Sequence, residues 1–320
     1  MTQKLEIDYA IQRKDPFGKV SEPAYSGVLS FLRSKYTKDL DGVDIAVTGV
    51  PFDTAVTHRP GTRFGPRAIR TASSQIDWDS PYNWDFEVRD QMSIIDYGDV
   101  LFDHGRLGEV PDVIEQHISG ILEKAKTTLT LGGDHFITYP ILKAYAAKYG
   151  PLCLLQFDAH TDTWNDQGGE DRIDHGTMFY HAVKQGIIAP EHSAQVGIRT
   201  TNRDTLGINI IDANEVHREG PEAAAVKIKQ IVGDRPVYLT FDIDGLDPAF
   251  APGTGTPVIG GLTPYQAMTM LRQIAGINLV GMDVVEVAPA YDPSGVTALA
   301  GATIAYELMS LYAYPNIDHT

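Results

Sequence analysis

Eight short runs of apolar or β-branched residues recur along this chain: 43–50 (VDIAVTGV), 93–97 (SIIDY), 127–132 (TTLTLG), 152–158 (LCLLQFD), 194–198 (AQVGI), 207–211 (GINII), 236–243 (PVYLTFDI) and 278–285 (NLVGMDVV). Several are continuously apolar rather than alternating. A strand with one wet face alternates apolar and polar side chains, whereas a continuous run needs cover on both faces. Helical patterns supply that cover. Residues 111–125 (PDVIEQHISGILEKA) repeat apolar side chains at spacings of three and four. Residues 263–275 open with Thr263, then Pro264 at the first helical position, then Gln266 where a capping box needs it. Residues 138–148, 177–186, 221–232 and 297–312 also read as helices. Strands alternating with helices imply an α/β chain, with a parallel sheet between two helical layers. No internal repeat or linker interrupts it. Residues 1–40 are mixed and polar and read as an arm; 41–320 read as one catalytic domain.

Ligands of such sheets sit beyond the carboxyl ends of the strands. There the composition changes abruptly. In PLCLLQFDAHTDTW the apolar run ends at Asp158, and His160 and Asp162 follow at every second position. Extended chain alternates its side chains, so these three share a side. YLTFDIDGLDP places Asp242 and Asp244 two apart at the end of another run, and LTLGGDHF delivers His135 after a third. Unpaired carboxylates leaving a core are costly, so a cation is the natural partner. Six donors exceed what one ion with an open position needs; they suit two divalent ions sharing carboxylates. Oxygen donors with two imidazoles and no thiolate favour Mn²⁺, with Ni²⁺, Co²⁺ or Zn²⁺ as alternatives. Asp247, before Pro248, reads as a turn former.

Composition narrows the partners. A net charge of −16 disfavours nucleic acid and anionic membranes, both of which call for basic patches. The single Cys153 excludes an intramolecular disulfide and fits a reducing compartment. The opening MTQKLEIDYA has no signal-peptide apolar region, and no membrane-length apolar run occurs. A cytoplasmic protein is expected.

GGDHF, FDAHTDTW, DHGTMF, FDIDGLDPAFAPGTGTPVIGGLT and GMDVVEVAPAYD together resemble the ureohydrolases: arginases, agmatinases and guanidino-acid amidinohydrolases. The likeness spans about residues 43–312, includes RPGTRFGPRAIR, and is greatest to the agmatinase branch. It implies a three-layer α/β/α arginase-like fold on an eight-stranded parallel sheet, a two-Mn²⁺ centre, and a homotrimer or homohexamer. It further implies that His135, Asp158, Asp162 and Asp242 hold one ion and that Asp158, His160, Asp242 and Asp244 hold the other. His175, in DHGTMF, matches the proton-transfer histidine, and Glu286, in DVVEVAP, the carboxylate that grips the guanidinium.

The expected activity is hydrolysis of a cationic guanidino compound to urea and a primary amine. Glu286 offers two oxygens to a planar guanidinium, and His175 has a suitable pKa for protonating a poor leaving group. The loop between Asp162 and His175 carries Asp166, Glu170, Asp171 and Asp174 against Arg172. Asp166 and Glu170 are therefore expected to bind a cationic tail, which favours agmatine, giving putrescine. The same loop is about three residues longer than the resemblance implies. Arg172, Arg199 or Arg203 could instead receive the carboxylate of guanidinobutyrate or guanidinopropionate. Two remoter readings are a one-ion zinc deacetylase-like hydrolase and a non-catalytic metal-bound subunit. Retention of every donor, of His175 and of Glu286 disfavours both.

Overall fold

The computed structural model describes residues 8–19, 22–165 and 173–317. Nine parallel strands form one sheet: β1 (Lys35–Tyr36), β2 (Ile45–Val50), β3 (Ile94–Asp99), β4 (Thr127–Gly132), β5 (Cys153–Phe157), β6 (Ala194–Val196), β7 (Asn209–Ile211), β8 (Val237–Asp242) and β9 (Leu279–Val285). Their spatial order is β1-β3-β2-β4-β9-β8-β5-β6-β7. Eight coincide with the apolar runs. The ninth corrects the expected count: β1 is a two-residue edge strand pairing Lys35 with Ile95 and Tyr36 with Asp96. Only one of its flanks is paired and its side chains are half-exposed or exposed, so no apolar run marks it.

The longer helices are α1 (Gly65–Ser73), α2 (Val110–Leu122), α3 (Thr138–Tyr149), α4 (Met178–Lys184), α5 (Ala213–Glu219), α6 (Pro221–Val232), α7 (Pro264–Gln273) and α8 (Val296–Ala313). Strand β5 shows why its run had to be continuous. Cys153, Leu155 and Phe157 join the apolar cluster on one side, with residues of α1 and α6–α8, while Leu154 joins α2–α4 on the other. Helix α7 begins with the expected reciprocal cap, Thr263 accepting from the Gln266 amide and Gln266 reaching back. Helix α8 is apolar nearly all round because it is buried nearly all round. By length and composition alone it would suit a membrane, yet most of it is enclosed by the fold.

Two arginines of RPGTRFGPRAIR, Arg63 and Arg70, are committed within the chain. Arg63 pairs with Asp53, and Arg70 grips Asp96 through Nε at 2.7 Å and Asp99 through a terminal nitrogen at 2.6 Å. Arg70 thus ties α1 to β3.

Strands β4, β9, β8 and β5 are neighbours at the centre of the sheet. The chain order reverses across them, which opens a crevice at their carboxyl ends.

Candidate active site

Each of those four strands ends in a polar side chain turned into the crevice. After β4, Gly133 passes so close to Phe52 that a Cβ there would stand 1.8 Å from the Phe52 carbonyl oxygen. Only glycine fits, and the next residues, Asp134 and His135, are delivered into a short turn. After β5 come Asp158, His160 and Asp162; Asp162 is held in the left-handed region at φ 51°. After β8 come Asp242 and Asp244, whose amide donates to Asp242 Oδ1 at 2.8 Å. After β9 comes Glu286, also left-handed at φ 65°. Non-glycine residues persist there only when surroundings impose it, and such strain gathers at functional sites.

Three carboxylates converge on one imidazole. His135 Nδ1 lies 3.1 Å from Asp158 Oδ2, 2.9 Å from Asp162 Oδ2 and 3.3 Å from Asp242 Oδ2. His160 Nδ1 lies 3.4 Å from Asp158 Oδ1 and 3.1 Å from Asp244 Oδ2. The six predicted donors therefore come together as two groups joined through Asp158. His135, Asp158 and Asp162 offer ligand atoms within 4.8 Å of one another, as do Asp158, His160 and Asp244. Asp242 stands beside the first group.

The histidine tautomer favours cation binding. Thr240 Oγ1 donates to Asp283 Oδ1 at 2.5 Å, so its oxygen accepts from His135 Nε2 at 2.8 Å. That leaves the Nδ1 lone pair facing the carboxylates, and Nδ1 has no hydrogen-bond partner among the described residues. This relay through a hydroxyl to a buried carboxylate is how metal-bound imidazoles are commonly oriented. Gln156 Nε2 similarly steadies Asp158 Oδ2 at 2.6 Å.

Electrostatics reinforce the fit. Burial raises the carboxyls of Asp162 and Asp242; Asp158 raises both further, and Asp244 adds to the rise of Asp242, leaving Asp162 at about 7. Asp158 moves oppositely: burial works against its charge, but His135 and His160 outweigh it and hold the carboxyl below the usual range. Burial opposes charge on His160 too, yet Asp244 and Asp158 push the imidazole up to about 12. With protein groups alone, protons must serve as the positive charge of this cluster. Hard oxygen and imidazole donors on buried, mutually repelling carboxylates fit divalent cations.

Glu286 and His175 adjoin the cluster. Glu286 Oε1 accepts from the His135 amide at 2.8 Å and from His175 Nδ1 at 2.9 Å. Its other oxygen, Oε2, is buried with no partner among the described residues. A cleft of about 310 Å³ opens here, bordered by Thr57, His160, Asp162, Trp164, Asp174 and His175. Burial lowers the basicity of His175, but Glu286 more than reverses this and pushes the ring up to about 9.

Asp166, Glu170 and Arg172 lie outside the described residues. Arg199 is not a carboxylate receptor: its guanidinium is spent on the backbone oxygens of Gly197, Asp244, Gly245, Leu246 and Val258. Asp247 accepts from the Ala249, Gly260 and Gly261 amides, as a turn former should. Sequence reasoning missed Thr57, Asp134, Thr240 and Asp283. Asp134 stands inside the motif GGDHF, directly before the donor His135, and that adjacency was the available signal.

Comparison with known proteins agrees with this geometry. The Arginase family model matches residues 43–310. An agmatinase of Chromobacterium violaceum is 53% identical over 315 residues, covering 98% of this chain and 97% of its own. A hypothetical agmatinase from Burkholderia thailandensis, known from its crystal structure, superposes with a TM-score of 0.94 at 54% identity, over 97% of this chain and 98% of that one. Proclavaminate amidinohydrolase from Streptomyces clavuligerus gives a TM-score of 0.87 at 36% identity, over 92% and 100%. Sheet order, crevice and sequence likeness point the same way: the chain belongs to the arginase family.

Proposed function

We propose that this protein hydrolyses agmatine to putrescine and urea at a centre of two divalent ions, Mn²⁺ by preference. The observation that carries the reading is the buried Oε2 of Glu286, without a partner among the described residues, beside a cluster of four carboxylates and two imidazoles. A buried carboxylate oxygen without a donor is costly, and a guanidinium N–H group repairs it. The relatives named agmatinase, about half identical over most of the chain, support the substrate. His135, Asp158, Asp162 and Asp242 would hold one ion, and Asp158, His160, Asp242 and Asp244 the other. Ions bound there supply Lewis acidity and acidify water, so that a nucleophile exists near neutral pH.

The chain's own groups do the rest. Glu286 fixes the plane of the guanidinium and so presents its carbon face-on to attack. Collapse to urea must expel an amine, which leaves readily only once protonated; His175, hydrogen-bonded to Glu286, provides that proton. A cationic tail rather than a carboxylate one is favoured because Arg199 is fully engaged by backbone oxygens and Asp174 borders the cleft. Asp166 and Glu170 are assigned to the same tail. The reading extends to a cytoplasmic homotrimer or homohexamer, on the strength of the resemblance and the composition.

The test is urea release by Mn²⁺-loaded protein from agmatine, guanidinobutyrate, guanidinopropionate and arginine in parallel. Agmatine is expected to be turned over with the highest kcat/KM, and chelation to abolish turnover. Urea from none of them would end the assignment; a preference for guanidinobutyrate would move it to the guanidino-acid branch.

A further inference from the structure

His175 is gripped from both sides. Nδ1 meets Glu286 Oε1 at 2.9 Å. On the other edge of the ring, Thr57 supplies two groups to Nε2: its backbone amide at 2.9 Å and its Oγ1 at 2.7 Å. Thr57 is exposed and belongs to the loop after β2, 118 residues away in sequence, whereas His175 is only 7% exposed. An amide N–H can only donate. While that contact persists, Nε2 must present its lone pair, and the hydroxyl must donate to it as well. The ring hydrogen is then on Nδ1, directed at Glu286.

The two sides pull in opposite senses. Glu286 accepts a hydrogen bond from the ring and favours the charged imidazolium. Thr57 donates to the ring and favours the neutral imidazole. We propose that Thr57 is a positioning residue for the proton-transfer histidine, a counterweight that fixes its tautomer and keeps Glu286 from holding the ring permanently charged. A general acid serves best when its pKa stays near the working pH, so an imidazole governed by Glu286 alone would part with its proton too reluctantly. The other charges facing the ring also favour the imidazolium: Asp134 after β4 and Asp162 after β5. Asp174, the preceding residue, directs Oδ1 to the Gly176 amide at 2.9 Å. Among the described residues, Thr57 is the group seen to donate to Nε2.

Only the catalytic consequence rests on the proposed function; the behaviour of the ring does not. Thr57→Val removes the hydroxyl donor and keeps the amide, while Thr57→Ser keeps both. The His175 midpoint is followed by ¹H–¹⁵N NMR on Zn²⁺-loaded, ¹⁵N-histidine-labelled protein without substrate. The expected result is an upward move of about half a pH unit or more in Thr57→Val and almost none in Thr57→Ser. Urea release from agmatine should show kcat down about tenfold in Thr57→Val at nearly unchanged KM, with Thr57→Ser restored to within about twofold of wild type. A midpoint that stays or falls in Thr57→Val, or moves equally in Thr57→Ser, overturns the counterweight. Thr57→Ala carries the same test if the valine variant does not fold. Wild-type protein that releases no urea would instead overturn the substrate assignment, leaving the NMR result to decide the role of Thr57.

Discussion

The division of labour in the crevice is set residue by residue. Asp158, like Asp242, is assigned to both ions, so its loss is expected to cost more than that of a donor to one ion alone. Asp158→Asn should lose bound metal and activity together, as read by elemental analysis beside the urea assay; an active, metal-replete variant would remove Asp158 from the centre. His175→Phe separates binding from chemistry. It should keep its metal and lower kcat by about 100-fold or more, the usual contribution of a positioned acid. Full activity would show that the proton comes from elsewhere. His175 also predicts the shape of the pH profile. Burial disfavours the imidazolium, but Glu286 raises the ring to about 9, so an acid in this position is lost as pH rises through that region. Bound cations shift the loss downward. The alkaline limb of kcat/KM should therefore fall at or below about pH 9 and be absent from the residual activity of His175→Phe.

Elements differ in how plainly the sequence announces them. Strands β2, β4–β6, β8 and β9 were legible because burial on both faces demands uninterrupted apolar runs, β3 and the edge strand β7 because their apolar residues are contiguous though less buried, and the cap of α7 because Thr263, Pro264 and Gln266 satisfy its exposed amides locally. Strand β1 was not legible: two half-paired residues at an edge carry no pattern. Helix α5 escaped for a related reason, since only Ala213 and Val216 of its seven residues are buried. The six donors could be read because they cluster just beyond the ends of three apolar runs. Thr57, Thr240 and Asp283 could not, because their roles rest on contacts between distant pieces of chain, such as Thr240 to Asp283 across β8 and β9. The turn after β4 gives an element-scale prediction. A methyl at Gly133 must displace the Phe52 backbone, so Gly133→Ala should destabilise the fold by about 3 kcal/mol, at the upper end for overpacking. Thr263→Ala, which loses only a cap, should cost about 1 kcal/mol. Denaturant unfolding distinguishes the two, and equal losses would show that the loop at Gly133 yields easily.

For the whole molecule, stability and metal are two aspects of one arrangement. The fold gathers four carboxylates in a water-poor crevice, and without a cation they must borrow protons. Burial and Asp158 raise Asp162 to about 7, far above its ordinary value, so the metal-free fold is penalised as pH rises from about 4 through 7. His160, driven up by Asp244 and Asp158 despite burial, acts in the same sense: the stability it adds is complete below its ordinary pKa and disappears as pH rises toward about 12. Chelated protein should accordingly melt lower at pH 8 than at pH 6, whereas Mn²⁺-loaded protein should melt higher than either at both pH values, by an amount that grows with free metal. Calorimetry at the two pH values checks both statements.

The central claim is that two cations, and not one, complete this crevice. Anomalous diffraction from Mn²⁺-loaded crystals tests it most directly. Two peaks per chain are expected, one beside Nδ1 of His135 and one beside Nδ1 of His160, with Asp158 reaching both. A single peak in fully active protein, or peaks away from these imidazoles, would contradict it.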